Sequence, residues 1–210
     1  MKKYIIILPI FVLITSSIFV SCSDWQRDFY LQQSIFIEDP LNPGLPIYSE
    51  WGYNTFGVFV DRQPFTSTHG HLPAKIVVYP DTLNLILTGV RSNAQTRTVL
   101  TFSFIGYAPR TYSDLIMLNG VTIDLTDRTK SLVTITETID SEEITTELMP
   151  FNGEFTFQRV QNLFVDNELD KSIISGRFRF QTRYRNEYIM FDRGRFDFAM
   201  GFDNFFYIPR

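Results

Sequence analysis

The chain is poor in the residues that carry most acid–base and redox chemistry. Among 210 residues there is one cysteine, Cys22, and there are two histidines, His69 and His71. A lone cysteine excludes an internal disulfide, so a hydrophobic core has to hold the fold. Two histidines leave few parts for proton transfer. The chain has no Gly-x-Ser-x-Gly elbow, phosphate-binding loop or dinucleotide fingerprint, and no cysteine–histidine nucleophile pair. Helix signals are nearly absent, as are internal repeats and low-complexity tracts. Positive charge is not in excess: 19 Lys and Arg stand against 23 Asp and Glu, for a net charge of −4. That balance gives no global reason to meet nucleic acid or anionic lipid. No cofactor and no enzymatic activity are expected.

What is present begins with the leader. Lys2 and Lys3 precede an apolar run over residues 5–20, which is interrupted by Pro9, Thr15, Ser16 and Ser17. A membrane-crossing helix needs about 20 apolar residues, and a shorter run after a basic start reads as a cleaved signal. Phe19-Val20-Ser21-Cys22 resembles a bacterial lipobox, with Phe19 where an aliphatic is usual. Residues 1–21 are therefore expected to be a lipoprotein signal peptide, with Cys22 the acylated N-terminus. More than one acyl chain makes such anchoring stable. Ser23-Asp24 follows the cysteine, without an aspartate directly after it, and this resembles an outer-membrane address. Asp24 and Asp28 are a thin version of a surface-export signal, so the periplasmic and cell-surface faces both stay open. Loss of Lys2 and Lys3 would take the net charge from −4 to −6.

Residues 22–52 read as a lipidated N-terminus and Pro-rich tether. Pro40, Pro43, Gly44 and Pro46 fall close together there and favour extended chain. Trp25, Phe29, Tyr30 and Trp51 are apolar for a free linker, so part of the segment is expected to pack. Residues 53–210 read as an all-β domain. Their hydrophobic period is two: Phe56, Val58 and Val60 share a face, as do Leu83, Leu85 and Leu87, and Leu100, Phe102 and Phe104. Residues 131–139 and 142–149 read as a hairpin around Asp140-Ser141. Further strands are expected over 154–160, 172–184, 187–191 and 194–202, with Gly176 and Gly194 at strand starts. Residues 108–118 hold at most a turn of helix. About ten short strands at this spacing predict one antiparallel sandwich or partly closed barrel. The 21 Phe, 10 Tyr and 2 Trp are assigned mainly to its core.

Two stretches resemble small lipoproteins of the Bacteroidetes that form families of unknown function. One is Asn54-Thr55-Phe56-Gly57-Val58-Phe59-Val60-Asp61. The other is Ile174-Ser175-Gly176-Arg177-Phe178-Arg179-Phe180, followed by Asp192-Arg193-Gly194-Arg195-Phe196-Asp197-Phe198. The resemblance implies an all-β outer-membrane lipoprotein and carries no catalytic residue.

Three groups of side chains are candidate sites. His69 and His71 would face the same way in a strand and hold a metal, with a third ligand from Asp61 or Asp81, although the segment reads as a solvated loop. Glu137, Asp140, Glu142, Glu143 and Glu147 form an acidic hairpin, which would suit a carboxylate-dependent hydrolase, a weak calcium site or a soluble sheet edge. Arg177, Arg179, Arg183 and Arg185, with Arg193 and Arg195, form a basic hairpin. It would suit an anionic glycan, a lipid head group or salt bridges to the acidic hairpin. The expected function is a non-catalytic, lipid-anchored binding or assembly role in the cell envelope. Its partners would be the membrane, through the N-terminal lipid, and a glycan, peptide or envelope protein; nucleic acid is not expected. A lipocalin-like carrier is the alternative, because a closed barrel holds a small apolar ligand. Exposed aromatics on one sheet face would favour glycan binding, and an apolar cavity would favour the carrier.

Cys22→Ala is expected to release the protein from the membrane fraction while the β domain still folds. Fractionation of cells followed by immunoblotting reads this directly. An unchanged membrane fraction would contradict lipidation at Cys22.

Overall fold

The computed structural model describes residues 34–67, 72–91, 97–139 and 142–209, except the side chain of Ile139. Cys22 lies outside them. The strands are β1 (Thr55–Val60), β2 (Gln63–Thr66), β3 (Ala74–Tyr79), β4 (Thr82–Arg91), β5 (Arg97–Ile105) and β6 (Thr122–Asp124). They continue as β7 (Ser131–Ile139), β8 (Glu142–Leu148), β9 (Asn152–Val165), β10 (Glu168–Tyr184), β11 (Glu187–Met200) and β12 (Phe205–Tyr207). They form one open 12-stranded sheet in the order β6-β9-β10-β11-β1-β2-β4-β5-β7-β8, with β3 pairing both β4 and β12. The fold is all-β, as predicted. Its pairs are antiparallel except β3 with β12, which run parallel.

Alternation builds the two faces. Along β5, Thr98, Leu100, Phe102 and Phe104 are buried, and the residues between them are less so. Along β10, Phe178, Phe180, Thr182 and Tyr184 point inward while Arg177, Arg179 and Arg183 point to solvent. The sheet bends so that its inner faces meet. Phe102 on β5 lies 4.8 Å from Phe155 on β9 and 5.0 Å from Phe178 on β10, ring centre to ring centre. Phe104 lies 4.9 Å from Phe155 and 5.6 Å from Phe157. These tilted and edge-to-face pairs fill the centre of the sandwich with rings, each a burial of several kcal/mol by the scale of large-to-small core substitutions.

Several elements differ from the sequence reading. The stretches expected as separate strands at 187–191 and 194–202 are one strand, β11, which carries a bulge. Phe191 and Gly194 pair with Phe180 and Phe178, so one residue is extra on β11. The same irregularity recurs against β1. Arg193 sits within it at φ 54°, and a bulge increases local twist and redirects side chains. Gly176 and Gly194 do not start strands. They lie mid-strand, where a Cβ would strike a Phe196 ring atom at 2.7 Å and the Phe178 carbonyl oxygen at 2.5 Å, respectively. β9 and β10 also run longer than their hydrophobic pattern, to a tight turn at Asp166 and Asn167, both at positive φ. Residues 108–118 contain a 3-10 helix, Tyr112–Leu118, started by a Thr111–Asp114 capping box.

Ser34–Arg210 is one compact unit. Residues 34–53 form a strap on it rather than a free linker: Leu45 is fully buried, and the strap crosses the outer face of β10, β11 and β1. Its anchor is Asp197, an outward residue of β11 that the strap covers, leaving it 1% exposed. The carboxylate accepts backbone N–H bonds from Trp51 at 3.2 Å, Gly52 at 2.8 Å and Tyr53 at 3.0 Å, and a bond from the Ser49 hydroxyl. Asp197→Ala removes the acceptor shared by these part-buried N–H groups and the buried Ser49 hydroxyl. Such a loss costs about 3 kcal/mol. Urea unfolding is expected to show a drop of that size, with residues 49–53 opening to limited proteolysis; a change below about 1 kcal/mol would contradict the anchor.

Candidate functional site

Among the described residues, the outer face of β6, β9, β10, β11 and β1 carries four open grooves, each sharing lining residues with another, and together they make up a furrow. The first, of about 550 Å³, includes Thr122, Asp124, Phe151, Glu154 and Arg179. It shares Glu154 and Arg179 with a second of about 380 Å³, which adds Arg177, Asp192, Arg193 and Gly194. A third, of about 390 Å³, lies against the strap, and a fourth, of about 470 Å³, reaches Met190 and the Asp61–Arg62 turn. Arg193 belongs to three of the four. A non-glycine residue in the left-handed region is uncommon, and the β11 bulge is what places this guanidinium at the junction.

Sequence alternation puts the arginines here, and their partners differ from one to the next. Arg179 pairs with Glu154 on β9 at 3.1 Å. Arg195 is mostly covered and pairs with Asp39 of the strap at 2.5 Å, also donating to the Pro46 carbonyl. Arg193 donates to the Asn42 side chain and lies 3.6 Å from Asp192. Arg177 lies over the Tyr48 ring at 4.6 Å, a cation–π contact. Burial, then the hydrogen bond to Glu50, pushes the Tyr48 phenol up to about 12, so the ring under Arg177 is neutral. Glu50 is itself lowered, chiefly by its bond to Arg159.

Beside these charges stand exposed aromatics. Tyr188 on β11 is 77% exposed and lies opposite Arg183 on β10. Its ring meets that of Phe151, 53% exposed, edge-to-face at 5.8 Å. Phe151 lines the first groove and Met190 the fourth. Apolar rings on an open face next to guanidiniums make a surface for stacking and hydrogen bonding together.

The basic hairpin read from the sequence divides. Arg177, Arg179, Arg193 and Arg195 come together on the furrow, and Arg183 lies on the same face of β10. Arg185 does not join them: it sits in the β10–β11 turn at φ 49° and pairs with Glu137 at 2.9 Å. Most partner carboxylates come from the strap, β9 and β11 rather than from the acidic hairpin. That hairpin spreads out too. Glu137 points inward, accepts the Tyr184 hydroxyl at 2.6 Å and lies 3.4 Å from Arg91. Glu147 pairs with Arg128, while Glu142 and Glu143 are exposed on β8, the last strand of the sheet. These carboxylates line a sheet edge and a seam between the layers, not one cleft. Asp140 lies outside the described residues, as do His69 and His71. Asp61 accepts the Met190 N–H, and Asp81 accepts the Thr82 hydroxyl. Among the described residues no three His, Cys, Asp or Glu side chains cluster to hold a metal.

Tyr48, Phe151, Tyr188 and Met190 were missed by sequence reasoning, which assigned rings to the core. The available signal was position: Tyr188 follows a turn and shares the solvent parity of β10's arginines.

Asp39 sets the pH range of the strap contact. The Asn42 amide, then Arg195 and the Leu41 N–H, hold its carboxyl at about 2, against an ordinary 3.8. A depressed carboxyl contributes stability that is present above its ordinary value and lost as pH falls through the depressed one. The Asp39–Arg195 contact is therefore expected to be complete above about pH 4 and lost near pH 2. Carbon-13 NMR of the Asp39 carboxyl reads the midpoint, and Asn42→Ala is expected to move it upward.

Comparison with protein-family models, with curated proteins and with solved structures finds no match to this chain.

Proposed function

We propose that this chain is a lipid-anchored, non-catalytic protein of the cell envelope that binds a glycan on the outer face of β9, β10 and β11. The observation that carries the reading is the exposed Tyr188–Phe151 pair on the rim of the furrow. Flat ring faces suit the apolar faces of sugars, and the neighbouring arginines supply donors for hydroxyls. Grooves that run open from β6 to β1 suit an extended polymer better than a small enclosed ligand. The anchor rests on Cys22 and the leader before it, and the resemblance to Bacteroidetes lipoproteins agrees with an outer-membrane address. The carrier alternative has less behind it. A carrier needs space inside a closed barrel, whereas this sheet is open and its centre is packed with phenyl rings.

Interface aromatics with such exposure carry a large share of binding energy. The double variant Phe151→Ala, Tyr188→Ala is expected to weaken binding to a soluble polysaccharide at least about tenfold, equivalent to roughly 1.4 kcal/mol. Retardation in polysaccharide-containing native gels measures this, with the melting temperature held within a few degrees as the control. Unchanged retardation by every polymer that the wild-type protein binds would contradict the aromatic platform.

A further inference from the structure

We propose that the glycan is acidic and that the cleft between the strap and β10–β11 seats its anionic group. This rests on the glycan-binding reading and names its substrate class. The cleft, of about 390 Å³, is lined by Leu41, Asn42, Arg177, Arg193, Gly194 and Arg195. Three guanidiniums converge there, and among the described residues no acidic side chain is part of the wall. The volume falls within the range of small-ligand clefts.

The three arginines are not equally committed. Arg195 is spent on Asp39 and on the Pro46 carbonyl, and it acts as the floor that holds the strap. Arg193 is 56% exposed, and its ion pair with Asp192 is long, at 3.6 Å. Among the described residues, Arg177 has no carboxylate at ion-pair distance; it lies over the Tyr48 ring. A guanidinium carries five N–H donors and no acceptor. Arg177 and Arg193 thus bring uncommitted donors to one opening, and the planar fork of each suits a carboxylate or sulfate oxygen pair.

The strap adds selectivity. Asn42 is held by Asp39 and by Arg193 together, which fixes the side of the cleft facing β11. Leu41, 85% exposed, forms the outer lip. Both arginines lie near water, so the attraction is open to screening by salt. The anionic group of a uronic acid and the sulfate of a sulfated sugar share this recognition chemistry.

The test uses the full chain purified in detergent, with immobilised polygalacturonate, chondroitin sulfate and neutral galactan, and with phosphatidylglycerol vesicles as a fourth surface. Binding to one or both acidic polymers at least tenfold tighter than to galactan at low salt is expected, with the difference shrinking in 0.5 M NaCl. Preference for polygalacturonate alone would assign a carboxylate, and preference for chondroitin sulfate alone a sulfate. Arg177→Ala is expected to bring the acidic-to-neutral ratio below threefold. Arg193→Asn, which tolerates the left-handed backbone, is expected to do the same, and Arg177→Lys is expected to restore part of the ratio. Equal binding to acidic polymers and galactan would overturn the anionic subsite while leaving the glycan-binding reading standing. Arg177-dependent binding to vesicles, with binding to no polymer, would overturn both.

Discussion

The strap side of the outer face depends on one buried carboxylate. Asp197 stands on the solvent side of β11, between the inward Phe196 and Phe198, and yet it is covered. It is covered because the chain at 49–53 turns three successive backbone N–H groups and a serine hydroxyl onto it. A buried charge is tolerated when hydrogen bonds replace its water, and here the replacement comes from a segment with no regular structure of its own. Without Asp197, the donors of residues 51–53 would favour water and the strap would loosen at its C-terminal end, keeping Leu45 and the pairs with Arg195 and Arg159. The strap in turn supplies Tyr48 under Arg177, Asp39 against Arg195, and Leu41 and Asn42 as a wall of the cleft. The site is thus a composite of a rigid sheet and a pinned strap.

The sheet's contribution is a bulge. A regular β11 would keep strict alternation past residue 192 and pair each arginine with a fixed cross-strand neighbour. The extra residue at Asp192–Arg193 breaks that ladder against both β10 and β1. Gly194 makes the bulge possible, because a side chain there would collide with the Phe178 carbonyl and ring. The phenyl core under the face keeps the bulge from relaxing inward. Packing beneath, strain in the strand and a pinned strap above converge on Arg193, where three grooves meet.

Much of this was legible in the sequence, and the parts that were not have physical reasons. Period-two runs gave most strands, because one face of each is buried and the other is wet. Arg177 and Arg179 were readable as one solvent face for the same reason. The bulge was not readable: Asp192-Arg193-Gly194 looks like the gap between two strands, since a glycine there is equally suited to a turn. Arg185 was grouped with the other arginines by proximity in the chain, but its turn sends it to Glu137 on the opposite layer. The exposure of Tyr188 and Phe151 was hidden because a ring in or beside a strand is usually core. The role of Asp197 was hidden because its burial comes from residues about 145 positions away.

The most direct measurement of the central claim is an amide NMR titration of the protein with an acidic oligosaccharide. If the outer face of β9–β11 is the binding surface, shifts should concentrate on residues 151–156, 177–183 and 188–195, and on strap residues 41–48. Shifts confined to β4, β5 and β7, or to the 3-10 helix and the tip of the β9–β10 hairpin, would contradict it.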